Sequence, residues 1–321
     1  MKKRVLSVLL TSMLAVGMLA GCGSSEEPAE TNTTNEENNV EDNAADAEEA
    51  PVEDEAESNF DDASMISVYS REDGSGTRGA FIELFGIEEK DENGEKIDYT
   101  TEEAIITNST DVMLTSISGD TYGIGYVSLG SLNDTVKAVK IDGAEATVDN
   151  IKAGTYTIAR PFNIATTSEV SDVAQDFINF IMSADGQAII TEEGYIEVSD
   201  AAAFETNGAE GKIVVGGSSS VSPVMEKLIE AYASINAGAD IELQTSDSST
   251  GMTGAADGTL DIGMASRELK DSEIEAGLTG TKIAMDGIAV VVNLENPVED
   301  LSSETVKAIF TGEATEWNAA K

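Results

Sequence analysis

Small hydroxyl residues and glycines recur at three points in the chain, each between a predicted strand and a predicted helix. They are Ser75-Gly76-Thr77, Ser218-Ser219-Ser220 and Ser248-Ser249-Thr250-Gly251. A helix N-terminus has free backbone N–H groups and a partial positive charge, and small residues let an anion approach them. Ordinary helix capping produces any one such loop. Three of them, together with a guanidinium at Arg71 that can form two parallel hydrogen bonds, suit a tetrahedral oxyanion.

The first loop also contains Gly74-Ser75-Gly76-Thr77-Arg78-Gly79, which matches the G-x-G-x-x-G pattern of dinucleotide-binding folds. In that pattern the first glycine directly follows a strand, and an acidic residue lies on the next strand about twenty residues later. Here Arg71-Glu72-Asp73 come before the first glycine, and the polar segment DENGEKID occupies the later position. The sequence therefore disfavours a dinucleotide site.

Composition excludes several function classes. The chain has no histidine and a formal net charge of −43, so histidine bases and histidine metal sites are excluded and nucleic acid is an improbable partner. No G-x-S-x-G motif is present to support a serine hydrolase, although a Ser–Lys pair stays open. We expect a protein without catalytic activity, metal or cofactor.

The first 22 residues predict a signal peptide. Lys2, Lys3 and Arg4 precede an apolar stretch that is short for a membrane span, and the stretch closes on Leu19-Ala20-Gly21-Cys22. This ending resembles the bacterial lipobox, which implies lipidation of Cys22 and anchoring to the outer face of the cell membrane. Cys22 is the only cysteine, which excludes an internal disulfide. An ordinary secretory signal is the alternative.

Residues 23–64 carry 16 acidic residues and neither Lys nor Arg. Such a segment buries too little apolar surface to offset its ordering entropy, and its charges repel one another. We expect an acidic, disordered tether.

Beyond residue 64, strand patterns alternate with helix patterns, which predicts an α/β protein with largely parallel sheets. The segment EEKDENGEKIDYT is expected to be a polar loop, and RPFNIAT an extended crossing. Near Gly208 a polar break separates a second unit that begins with the strand KIVVGG.

Several segments resemble the binding lipoprotein of phosphate ABC transporters. They include SREDGSGTRGAF, GYVSLG, GGSSSVSPVMEKL, DSSTGMTGAADG, DIGMASRELKDSE and IFTGEATEW, and the resemblance covers nearly all of 66–317. It implies a periplasmic-binding-protein-like (type II) fold, with two α/β lobes, a hinge and an interlobe cleft. The implied function is capture of inorganic phosphate outside the cell and delivery to ABC permease subunits.

The resemblance also implies which residues contact phosphate. They are Arg71, Ser75, Gly76, Thr77, Ser219, Ser220, Val221, Ser248 and Ser249. Asp73 would lie beside Arg71 and orient it, unless it is a simple loop carboxylate.

Chain order departs from the family, because the GSSSVSP half here follows the SREDGSGTR half. The chain looks circularly permuted, with one lobe formed by 65–160 plus 297–321 and the other by 161–296. Permutation is tolerated where termini lie close together and the cut is in an exposed loop. A fragment of a tandem gene is the alternative.

A second departure concerns the carboxylate that accepts the proton of bound hydrogen phosphate. Arg267 occupies the position where the family has this carboxylate. We expect Asp286, paired with Arg267, to accept the proton instead. The alternative is that Asp286 and Arg267 form only a structural ion pair. A matched carboxylate can reject sulfate by about 10⁴-fold. Binding of another oxyanion (sulfate, molybdate or tungstate) or a surface signalling role without transport therefore remain alternatives.

Overall fold

The computed structural model describes residues 60–320. The predicted signal peptide, Cys22 and positions 23–59 of the predicted tether lie outside the described residues. None of the helices in the described part of the chain is both long enough and apolar enough to span a bilayer.

Ordered structure begins before residue 65, where the sequence predicts the tether to end. The Phe60 ring packs 5.0 Å from the ring of Tyr122 and 6.0 Å from that of Trp317. The carbonyl of Ser64 accepts a hydrogen bond from the backbone of Trp317. Phe60 thus supplies apolar surface to the core, although the sequence places residues 60–64 in the tether.

Nine helices lie in the described residues. They are α1 (Gly76–Leu84), α2 (Thr110–Ser118), α3 (Val148–Ala153), α4 (Asp172–Met182), α5 (Ala184–Glu192), α6 (Ser222–Ile235), α7 (Ser248–Asp257), α8 (Asp271–Glu275) and α9 (Ser303–Phe310).

Thirteen strands accompany them over the same range. They are β1 (Ser67–Arg71), β2 (Glu88–Lys90), β3 (Lys96–Asp98), β4 (Ile105–Thr107), β5 (Gly123–Ser128), β6 (Lys137–Ala138), β7 (Lys140–Ile141), β8 (Ala159–Thr166), β9 (Gly211–Ser218), β10 (Ala239–Ser246), β11 (Ile262–Ala265), β12 (Thr279–Val292) and β13 (Asp300–Leu301).

The main sheet is mixed, in the order β10-β9-β11-β8-β12-β5-β1-β4, with β6 on β12. Pairs at its two ends are parallel: β10 with β9, β9 with β11, β5 with β1 and β1 with β4. Strand β8 runs antiparallel to β11 and β12, and β12 runs antiparallel to β5. The α/β class is confirmed, and the crossing predicted at RPFNIAT is β8.

Buried apolar side chains form four clusters, which fall into two groups by their position in the chain. The first core group contains residues from 66–158 and 288–320, and the second core group contains residues from 162–284. Strand β12 contributes Ile283 to the second group and Ile288 to the first. The chain thus passes between the groups within β12, earlier than residue 296, where the sequence places the boundary.

The segment predicted as a polar loop contains the hairpin β2–β3. Glu88 pairs with Asp98 and Lys90 with Lys96. The Asp91 carboxylate accepts hydrogen bonds from the amides of Asn93 and Glu95, which closes the turn between the strands. The prediction missed the hairpin because both strands are largely exposed and carry no apolar alternation.

Candidate anion-binding site

Four strand–helix junctions meet at the candidate site. β1 leads to α1, β4 to α2, β9 to α6 and β10 to α7. Because β1 is parallel to β4 and β9 to β10, the carboxyl ends of each pair lie at one edge of the sheet. Each edge therefore presents two helix N-termini, with their free amides and partial positive charge.

Arg71 is the cation of this site, and its side chain is only 2% exposed. Its Nε and Nη2 donate to the two carboxylate oxygens of Glu72, at 2.8 and 2.7 Å. Nη2 also donates to Ser219 Oγ at 3.1 Å, and Nη1 to Thr110 Oγ1 at 3.5 Å. Glu72 thus fixes one edge of the guanidinium while the remaining N–H groups face hydroxyls.

Hydroxyls from the chain segments of both core groups lie close together beside the Arg71 guanidinium. Thr77 Oγ1 lies 2.8 Å from Ser220 Oγ. Thr110 Oγ1 lies 3.2 Å from Ser220 Oγ and 3.4 Å from Ser219 Oγ. We call these four residues with Arg71 the hydroxyl cluster; all five are buried. Hydroxyls that donate to one another here can donate equally to the oxygens of an anion.

A second set of serines borders the cluster. Ser266 Oγ lies 3.0 Å from Ser218 Oγ and 3.4 Å from Ser248 Oγ. The loop that contains Gly74 and Gly76 lies against these serines. The amide of Ser249 donates to the carbonyl of Gly74 at 3.1 Å. A Cβ added at Gly76 would lie 2.8 Å from Ser266 Oγ. Only glycine permits this close approach between the two core groups.

The other predicted contact residues lie at helix starts. Ser75 caps α1, where its Oγ accepts from the amide of Arg78. Val221 is fully buried before α6, and its amide donates to the carbonyl of Ser218. Ser249 is in the first turn of α7, with its Oγ 3.4 Å from Arg267 Nη2.

Asp73 does not orient Arg71, contrary to the prediction. Its side chain is 98% exposed and pairs with Arg78 at 3.2 Å. The backbone turns after β1, where Ser75 N bonds to the carbonyl of Glu72, and this turn directs Asp73 to solvent. Glu72 takes the orienting position instead.

Asp286 does not pair with Arg267. It is 1% exposed, with Oδ2 bonded to Nε and Nη2 of Arg160 and Oδ1 to Ser128 Oγ. The register of β8 and β12 places Asp286 directly opposite Arg160. Burial raises the pKa of Asp286, and the Arg160 guanidinium opposes that rise. Arg267 instead forms a two-pronged ion pair with Glu273, at 2.9 and 2.7 Å.

Sequence patterns did not identify Glu72, Thr110, Ser266 or Arg160 as site residues. Thr110 could have been recognised from the sequence, because Ser-Thr-Asp at the start of α2 follows a strand, as the other three hydroxyl-rich loops do. The remaining three depend on tertiary contacts. Within residues 60–320 no cluster of three or more acidic, cysteine or histidine side chains is arranged to hold a metal.

Comparison with known proteins agrees with this fold. The model of the PBP superfamily domain matches residues 54–185 and 202–321. Phosphate-binding protein PstS 2 of Streptococcus agalactiae is 49% identical over 319 residues, covering 99% of this chain and 98% of that protein. PstS 2 of Streptococcus pneumoniae is 45% identical over 257 residues, covering 80% and 88%.

A solved structure is similar over its whole length. It is the phosphate-binding protein of a phosphate ABC transporter from S. pneumoniae, with a TM-score of 0.64 and 45% identity. The match covers 80% of this chain and 100% of that one. The chain therefore belongs to the PstS family of phosphate-binding proteins, within the PBP superfamily.

Proposed function

We propose that this protein is a non-catalytic binding protein that captures inorganic phosphate outside the cell and delivers it to an ABC permease. The convergence of Arg71 with hydroxyls from the starts of three helices, α1, α2 and α6, carries the proposal. A buried anion needs hydrogen bonds on all of its oxygens, and this site supplies them from the guanidinium, hydroxyls and helix amides. The names of the relatives point to the same ligand.

Binding would couple to closure of two lobes, one built on each core group. The strands β8 and β12 connect the groups and would contain the hinge, while the hydroxyl cluster takes residues from both sides. A ligand that bonds to both sides favours the closed form by its additional contacts there.

The reversed order of segments would be the result of a circular permutation. Met65 and Glu316 form a backbone bridge, so the two sides of the proposed cut lie together. The S. agalactiae relative matches over 98% of its length, so the two chains share this order of segments.

Binding is tested by isothermal titration of the full-length chain with phosphate and with sulfate. We expect saturable heat from phosphate at one site and weaker binding of sulfate. Heat from sulfate alone would contradict phosphate as the ligand, and no heat from either anion would refute the function.

Two variants test whether the ligand binds at the hydroxyl cluster. Arg71→Lys loses the paired N–H groups, and Ser220→Ala removes one hydroxyl, so both should bind phosphate at least about tenfold more weakly. Ser234→Ala is the control, because this exposed serine lies at the other end of α6 and bonds only to the carbonyl of Glu230. Equal affinity in all three variants would place the ligand elsewhere.

Attachment to the membrane would depend on a lipid at Cys22. Cys22→Ser should release the protein from the cell surface into the medium, whereas the wild type should remain with the membrane fraction. A wild-type protein found wholly in the medium would indicate an ordinary secretory signal.

A further inference from the structure

Arg78 belongs to the first loop motif and has no part in the site described above. It lies in the first turn of α1, with its side chain 13% exposed. Its Nη1 donates to the backbone carbonyl of Arg71 at 2.7 Å. Its Nε and Nη2 both donate to Oδ2 of Asp98, at 3.0 and 2.8 Å. One guanidinium thus joins the turn after β1 to the hairpin β2–β3.

Asp98 is itself held firmly. Its Oδ1 accepts hydrogen bonds from the amide and the hydroxyl of Thr100, at 2.8 and 2.6 Å. Burial opposes ionisation of this carboxyl, but the Thr100 and Arg78 hydrogen bonds outweigh it and lower its pKa. Both carboxylate oxygens are therefore occupied, and Arg78 is oriented from the hairpin side. Asp73 adds little, because an exposed ion pair contributes little energy.

The backbone of Arg71 is fixed at both of its polar groups. Its amide donates to Tyr126 Oη at 3.0 Å, and its carbonyl accepts from Arg78. Glu72 holds the guanidinium, but Glu72 is attached to the same turn. If the carbonyl were released, the guanidinium and its carboxylate partner would be free to shift together relative to Ser219 and Thr110.

We propose that Arg78 is a positioning residue for the anion site, with Asp98 as its anchor, so that the hairpin β2–β3 sets the geometry of Arg71. The inference rests on the proposed function for its effect on phosphate affinity. Its effect on the turn itself is independent of any ligand.

The test titrates phosphate into the full-length wild type and into Arg78→Gln, Arg78→Lys, Asp98→Asn and the Arg78→Gln/Asp98→Asn double variant. Loss of an orienting partner at metal sites typically weakens binding about 10- to 100-fold, and we expect the same range for Arg78→Gln. Lysine keeps a donor for the Arg71 carbonyl but loses the two hydrogen bonds to Asp98. The phosphate affinity of Arg78→Lys should therefore lie between those of the wild type and Arg78→Gln. The double variant should be no weaker than Arg78→Gln, because Asp98 acts through Arg78.

Lys96→Gln is the matched control. Lys96 lies in the same strand as Asp98 and pairs with Glu88 and Glu83, away from the turn. Because Lys96 is half exposed, Lys96→Gln should lower the melting temperature little and leave phosphate affinity unchanged. Equal losses of affinity in Lys96→Gln and Asp98→Asn would show only a structural role and overturn the proposal, as would wild-type affinity in Arg78→Gln.

Hydrogen exchange without ligand separates this inference from the proposed function. The amides of Glu72 and Ser75, which bond to Thr107 and Glu72 carbonyls, should exchange faster in Arg78→Gln than in the wild type. Unchanged exchange would refute the positioning role even if phosphate binds. Absence of phosphate binding in the wild type would refute the function, while faster exchange in Arg78→Gln would still support the positioning of the turn.

Discussion

Single residues set how closely the two core groups approach each other at the site. Gly76 lies against Ser248 and Ser266, both fully buried, and Ser248 Oγ also accepts a hydrogen bond from Ser266 N. A Cβ added at position 76 would lie 2.4 Å from Ser248 Oγ and 2.8 Å from Ser266 Oγ. The side chain at position 76 is therefore limited to a hydrogen atom by the opposite group rather than by its own backbone conformation.

Gly76→Ala should weaken phosphate binding without unfolding the protein. Overpacking costs about 1–3 kcal/mol, which corresponds to about 5- to 150-fold in affinity if the strain arises only on closure. Gly79→Ala is the control, since nothing lies within 4 Å of its added Cβ, and alanine in a helix should stabilise by about 0.5–1 kcal/mol. Titration and thermal unfolding measure the two effects; unchanged affinity in Gly76→Ala would show that the groups do not meet here when the anion binds.

Helix starts are the elements that deliver the donors. Three of them are recognisable in the sequence, and α2 is the fourth, with Thr110 at its first position and Ser109 as its cap. Since the β1–β4 pairing places α2 beside α1, Thr110 reaches both Arg71 and the serines of the second core group.

Thr110→Val keeps the shape of the side chain and removes the hydroxyl. A hydrogen bond to a charged group contributes about 1.5–3 kcal/mol, so phosphate should bind at least about tenfold more weakly. Thr115→Val on the exposed face of the same helix should leave affinity unchanged. Titration of both variants decides whether α2 supplies a ligand contact, and equal affinities would exclude it.

Strand β1 is also joined to the end of α2 by Tyr69, whose hydroxyl donates to Asp120 at 3.0 Å. Burial, with the hydrogen bond and charge of Asp120 adding to it, raises the pKa of Tyr69 from 10.0 to about 12. The folded protein thus holds this proton more tightly than the unfolded chain, so the contribution to stability is complete below pH 10 and is lost as pH rises toward 12.

Chemical unfolding of wild type and Tyr69→Phe across this interval measures the effect. The difference in unfolding free energy should shrink as pH rises from about 10 to 12, because phenylalanine does not ionise. A difference that is constant over the interval would show that Tyr69 does not titrate with the fold.

At the scale of the whole molecule, β8 and β12 carry the chain between the core groups. Arg160 and Asp286 pair across these strands in the buried interior. A buried pair of this kind is strongly destabilised when one partner is lost, because the other charge stays buried and unpaired.

Asp286→Asn should lower the unfolding free energy by about 3–5 kcal/mol, measured by chemical denaturation. The Arg160→Met/Asp286→Leu double variant should lie much closer to the wild type. If Asp286 only holds the strands together, Asp286→Asn should leave the ratio of phosphate to sulfate affinity unchanged. A large fall in that ratio would instead identify Asp286 as the acceptor of the phosphate proton.

Local signals explain what could be predicted from the sequence. Hydroxyl residues and glycines at strand–helix junctions are selected by contacts within a few residues, so the three loops, Arg71 and the α/β class were recognisable. The hairpin β2–β3 was missed because its strands are exposed, and Thr110 was overlooked although it carries the same local signal as the three loops.

Only the tertiary structure decided which side chains contact one another at the site. Glu72 rather than Asp73 faces Arg71 because of the turn after β1, Asp286 meets Arg160 because of strand register, and Gly76 meets Ser266 because two core groups come together. Capping and loop composition depend on neighbours in the chain, and the sequence alone determined them. Register and the approach of distant segments depend on how the whole sheet packs, and no short stretch of sequence specifies that packing.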